Sequence, residues 1–92
     1  MREYLWETAQ ETAHGLAQRL RGIRKRRGVS QERLSEISGV SYGSIKRFET
    51  SGQINLLSLI KIANALECAE EVRQLFSSVE YRSIDEVKRE SK

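Results

Sequence analysis

Ninety-two residues with 38% apolar content suffice for one compact domain with a modest core, but not for a second. A single cysteine, Cys68, and a single histidine, His14, exclude an internal disulfide framework and a zinc site built from this chain alone, so no metal and no cofactor is expected. No apolar run approaches the roughly 20 residues of a membrane span, and residues 1–18 lack the basic start and apolar heart of a signal peptide, which makes a cytoplasmic protein with no membrane partner the expectation.

The net charge of +3 conceals a segregation: residues 19–66 carry ten Lys and Arg against three Asp and Glu, while both flanks are mildly acidic. A basic central block suits a polyanion-binding core, because Lys and Arg neutralise phosphates and release counterions. A solvated helix face would give the same count.

Proline is absent, and Ser, Thr and Gly recur between apolar segments of helical period, which predicts an all-α protein. Leu5, Ala9, Ala13, Leu16, Leu20 and Ile23 step by three or four, so a long first helix is expected over residues 4–27. Gly15 and Gly22 weaken it by about 1 kcal/mol each, with a break near His14 and Gly15 as one outcome, and Gly28 ends it. Ser30 caps a short second helix over 31–38; Gly39, Val40 and Ser41 form a turn; Ser41 caps a third helix that runs to about Thr50 and stops at Ser51 and Gly52. Asn55 caps a fourth helix, whose core face is read as Leu56, Leu59, Ile60, Ala63 and Leu66. A fifth helix is expected over 69–77 with Val72, Leu75 and Phe76, and Ser83 could cap a last turn from Ile84 to Lys88.

The stretch from Ser30 to Gly52, SQERLSEISGVSYGSIKRFETSG, resembles the helix-turn-helix of the Cro and phage-repressor (XRE) family. Leu34, Val40, Ile45 and Phe48 hold the two helices together, small Ser35 lets them approach, and Gly39 occupies the turn. The resemblance implies a lambda-repressor-like five-helix DNA-binding domain with an extended N-terminal helix and a short C-terminal tail. The divisions read are an N-terminal helical extension over 1–15, the helix-turn-helix domain over 16–77, and a tail over 78–92. Arg24, in R-x-x-x-G with Gly28, and Glu49 match two charges that pair in that family, so a structural ion pair is implied.

Within the resemblance, the second helix of the motif enters the major groove of a double-stranded DNA operator. Ile45 and Phe48 face inward, which leaves Tyr42, Gly43, Lys46 and Arg47 as base-reading candidates. Arg47 can donate two hydrogen bonds to guanine O6 and N7, Lys46 does so less directionally, and Tyr42 could touch a thymine methyl or a phosphate. Gly43 offers no side chain and either brings the backbone close to DNA or marks a frayed first turn. Gln31, Ser41 and Ser44 are phosphate candidates because helix N-termini attract anions, and Thr50 and Asn55 occupy positions that approach the backbone in the family. Arg21, Lys25, Arg26 and Arg27 add to the attracting field or form a solvated face.

His14 reads as a surface residue and Cys68 as a small core residue. The paired carboxylates Glu70 and Glu71, and Asp85 and Glu86, lie on predicted surfaces without a pocket, so no enzyme chemistry is expected. Outside the motif, Tyr4, Leu5 and Trp6, and then Val79, Tyr81, Ile84 and Val87, are apolar enough to pack on something; Trp6 either folds back onto the domain or, the favoured reading, anchors an interface. The resemblance implies a homodimeric repressor on an operator palindrome. Its alternative is an antitoxin of the HipB type that holds a HipA-like kinase toxin and autoregulates its operon.

Overall fold

The computed structural model describes residues 7–78, and the readings on Tyr4, Leu5, Trp6 and on Val79 through Lys88 lie outside that range. The described residues are all-α: α1 (Ala9–Arg26), α2 (Gln31–Ser38), α3 (Tyr42–Ser51), α4 (Leu56–Ala65) and α5 (Ala69–Arg73). α1 packs on α3, α2 on both α3 and α4, and α5 on α4. None of the described helices is long and apolar enough to cross a membrane.

Local chemistry sets the boundaries. α1 starts five residues later than its apolar stripe suggests, because Thr8 and Glu11 form a capping box. The Thr8 hydroxyl accepts from Glu11 N–H at 3.1 Å, and the Glu11 carboxylate accepts from Thr8 N–H at 2.9 Å. The helix is then continuous through His14 and Gly15, so the break that Gly15 allowed does not occur. Ser30, Ser41 and Asn55 cap α2, α3 and α4 by accepting from the backbone N–H three residues on. α2 and α3 both end on glycines in the left-handed region, Gly39 at φ 79° and Gly52 at φ 83°. α5 has no side-chain cap and stops at Arg73, short of the expected 77; Leu75 and Phe76, expected on its apolar face, are exposed.

Leu34, Ile45, Ile62 and Leu66 are fully buried, and Ala17, Val40, Phe48, Ala63 and Cys68 complete the core. Each large side chain among them contributes roughly 1.5–3 kcal/mol by leaving water. Two faces differ from their sequence reading. On α1 the buried apolar residue is Ala17, not Leu16, which is 45% exposed; on α4 Ile62 is buried while Leu56 is 67% exposed. Ala17 lies on the helix that packs against α3, and its small side chain lets the two backbones come close.

Candidate nucleic-acid interface

The inner side of α3 is fixed by Ile45 and Phe48 in the core and by Glu49, a buried carboxylate. Arg24 Nε donates to Glu49 Oε2 at 2.7 Å and Nη2 to Oε1 at 2.9 Å, while Nη1 donates to the Val29 carbonyl at 2.9 Å. Charge-assisted bidentate pairs of this kind are short and directional. Gln31 Nε2 also donates to Glu49 Oε1, at 2.9 Å, and Arg21 Nε approaches it at 3.8 Å. Burial by itself would raise the Glu49 carboxyl; hydrogen bonds from Arg24 and Gln31, with the charges of Arg24 and Arg21, outweigh it and hold the group below its ordinary value.

Two further contacts join the same end of α3 to α1. Gln18 Nε2 donates to the Glu49 carbonyl at 3.0 Å. Gly52 lies against the α1 backbone so closely that a Cβ there would come within 2.7 Å of Ala13 C and 2.8 Å of His14 N. Only glycine serves at this position, for its left-handed backbone and for the lack of space.

With its inner side so engaged, α3 turns Tyr42, Gly43, Lys46 and Arg47 to solvent. Lys46 Nζ rests 5.0 Å from the centroid of the Tyr42 ring, a cation–π pair that gathers both side chains over the first turn. Arg47 is held differently: Nε donates to Gln53 Oε1 at 3.0 Å, and Nη2 donates to the same oxygen. Nothing lies within 4 Å of where a Gly43 Cβ would stand, so packing inside the protein does not call for glycine there.

The phosphate candidates divide into two groups. Ser41, Ser44, Thr50 and Asn55 are exposed, and each has a local bond of its own. Ser41 Oγ accepts from Ser44 N–H at 3.1 Å and donates to Ser44 Oγ at 2.9 Å; Thr50 Oγ1 donates to the Lys46 carbonyl at 2.9 Å; Asn55 Oδ1 accepts from Ser58 N–H at 2.7 Å. Gln31 is half-buried with its amide turned inward onto Glu49, while Glu32 and Arg33, which follow it in the first turn of α2, are exposed. Of the basic residues on α1 and α2, Arg27 pairs with Glu67 at 2.7 Å and Arg33 with Glu36 at 2.9 Å, which reduces their share of the field.

Sequence reasoning missed Gln18 and Gln53. Gln53 reaches Arg47 across the Gly52 turn, six positions away, a relation that no helical period encodes.

Among the described residues no group of three His, Cys, Asp or Glu side chains could hold a metal ion. Residues 20–72 match the family model described as Helix-turn-helix, over half of the chain. No curated protein and no solved structure matches significantly. With that match laid over a capped, glycine-stopped α2–turn–α3 unit, the chain belongs to the Cro/phage-repressor-type helix-turn-helix family of DNA-binding regulators.

Proposed function

We propose that the protein is a sequence-specific transcriptional repressor that binds a palindromic operator as a homodimer, with α3 of each protomer in the major groove. The observation that carries this reading is the division of α3. Ile45, Phe48 and Glu49 are buried, while Tyr42, Lys46 and Arg47 project from the opposite side on a helix ten residues long. Arg47 supplies directional donors for guanine O6 and N7, Lys46 a diffuse positive charge, and Tyr42 an apolar edge for a thymine methyl. The backbone amides of the first turns of α2 and α3, with the exposed Ser41, Ser44, Thr50 and Asn55, line the approach to phosphates. Two such protomers occupy half-sites about 34 Å apart, one turn of DNA.

An open groove of about 270 Å³ between α1, α4 and α5, bordered by Leu16, Leu20, Leu59, Val72 and Leu75, favours a protein partner as well. Phe76, next in the chain after Leu75, is 94% exposed. A second copy is the occupant in the repressor reading; a kinase-type toxin is the occupant if the chain is an antitoxin that also represses its own operon.

The test is titration of the purified protein against DNA from upstream of its own gene, with scrambled competitor and increasing salt. Sequence-preferring binding that weakens steeply with salt is expected. Binding that is weak and indifferent to sequence would overturn the reading.

A further inference from the structure

Arg47 and Lys46 are neighbours on the outer face of α3, yet their side chains stand in different mechanical states. Among the described residues Lys46 leans on a ring with no directional bond to a polar atom, while both Nε and Nη2 of Arg47 donate to one oxygen, Gln53 Oε1. A guanidinium has five N–H donors in a rigid plane. The edge held by Gln53 is the Nε–Nη2 edge, which leaves the end formed by Nη1 and the second hydrogen of Nη2. That end presents two parallel N–H groups, the arrangement that matches guanine O6 and N7.

Gln53 is itself anchored. Its backbone N–H donates to Ser51 Oγ at 3.2 Å, and Ser51 Oγ donates to the Arg47 carbonyl at 2.7 Å, so a ring of contacts closes from the Arg47 backbone to its own side chain. Gly52, between Ser51 and Gln53, is seated on the α1 backbone at Ala13 and His14 and fixes where this ring lies.

We propose that Gln53 is a positioning residue for base recognition: it touches no base, but fixes the plane of the Arg47 guanidinium so that its outer end is aimed at a guanine before DNA arrives. The inference rests on α3 being the reading helix. Its physical content is the rotamer freedom of a long exposed arginine, which Gln53 removes in the free protein.

The experiment begins by selecting the preferred site from a randomised duplex pool with the wild-type protein. Affinities of wild type, Arg47→Ala, Gln53→Met, Gln53→Glu and the Arg47→Ala/Gln53→Met pair are then measured on that site and on versions with each guanine replaced. Gln53→Met keeps the length of the side chain and removes the acceptor; discrimination for guanine at one position of each half-site should fall about tenfold, with the salt slope unchanged because no phosphate contact is lost. Gln53→Glu restores an acceptor oxygen and should keep the discrimination ratio while lowering affinity for every sequence through its charge. In the Arg47→Ala background, Gln53→Met should change nothing further.

Full discrimination by Gln53→Met overturns the positioning role. So does a loss that persists in the Arg47→Ala background, since Gln53 would then be reading a base itself. If Arg47→Ala alone leaves all preferences intact, the fault lies in the assignment of the reading face, and the two failures are told apart. Gln53 is exposed, and thermal melts of each variant verify that the fold is kept.

Discussion

Replacing Arg24 by Ala tests whether the buried ion pair holds α3 to the rest of the domain. The substitution removes the bonds from Nε and Nη2 to Glu49, at 2.7 and 2.9 Å, and the bond from Nη1 to the Val29 carbonyl at 2.9 Å. Glu49 remains buried with Gln31 at 2.9 Å and Arg21 at 3.8 Å. Removing one partner of a buried pair costs about 3–5 kcal/mol, and these two residual partners place the loss near the lower end, about 3 kcal/mol. A domain of this length is stable by roughly 5–14 kcal/mol, so the loss takes a large share. With a urea dependence of about 1 kcal/mol per molar, the midpoint should fall by about 3 M.

The companion variant is Arg24→Met with Glu49→Met, which replaces the ion pair by apolar side chains and lets half-buried Gln31 turn to water. It should recover most of the lost stability. Urea denaturation followed by far-ultraviolet circular dichroism measures both. The reasoning is refuted if Arg24→Ala costs less than about 1 kcal/mol, or if the double variant is no more stable than the single one.

Glu49→Gln tests the charge alone. The folded carboxyl lies below its ordinary value of 4.5, so its contribution to stability is complete above that pH and is lost as pH falls through the lower folded value; thermal melts on the acid side should show a flatter decline in the variant. Gly52→Ala places a Cβ 2.7 Å from Ala13 C at φ 83° and should cost about 2–4 kcal/mol in a urea melt. Gly28→Ala, at φ 68° with nothing within 4 Å, should cost only the backbone part, about 1 kcal/mol. Gly43→Ala should raise stability by up to about 1 kcal/mol, because the site is helical and open, and should weaken operator binding if the α3 backbone lies close to DNA; an affinity equal to wild type would remove that role.

The helix-turn-helix was legible because its determinants are local. Ser30, Ser41 and Asn55 are caps, Gly39 and Gly52 are stops, and Leu34, Val40, Ile45 and Phe48, named on the family resemblance, are all buried. The sidedness of α1 and α4 was less legible. An apolar stripe fixes a helix face only to within the angle between neighbouring residues, and Leu16 and Ala17 exchange burial once α3 selects which flank of α1 it touches, while on α4 Leu56, at the first position of the helix, is exposed and Ile62 is buried. The start of α1 was written in Thr8 and Glu11, but the stripe running back to Leu5 outweighed that shorter signal. The partners Gln18 and Gln53 are tertiary facts, since each bond joins residues that no period brings together.

The contacts of α3 are unequal along its length, and this inequality bears on how it can read DNA. Its C-terminal half is tied to α1 at three points: Gln18 on the Glu49 carbonyl, Arg24 on the Glu49 carboxylate, and Gly52 on the backbone of Ala13 and His14. Its first turn has the Ser41 cap, the glycine at 43, and exposed Tyr42 and Ser44. Rigid placement of a donor is what allows a bidentate contact to discriminate between bases, because a mobile donor can satisfy several. Arg47 stands at the fixed end, within the ring closed by Ser51 and Gln53, and Tyr42 with Lys46 toward the less restrained end. On the proposed reading, in which α3 enters the groove, the same ties that stabilise the fold concentrate base selectivity at Arg47, while the first turn is left able to adapt.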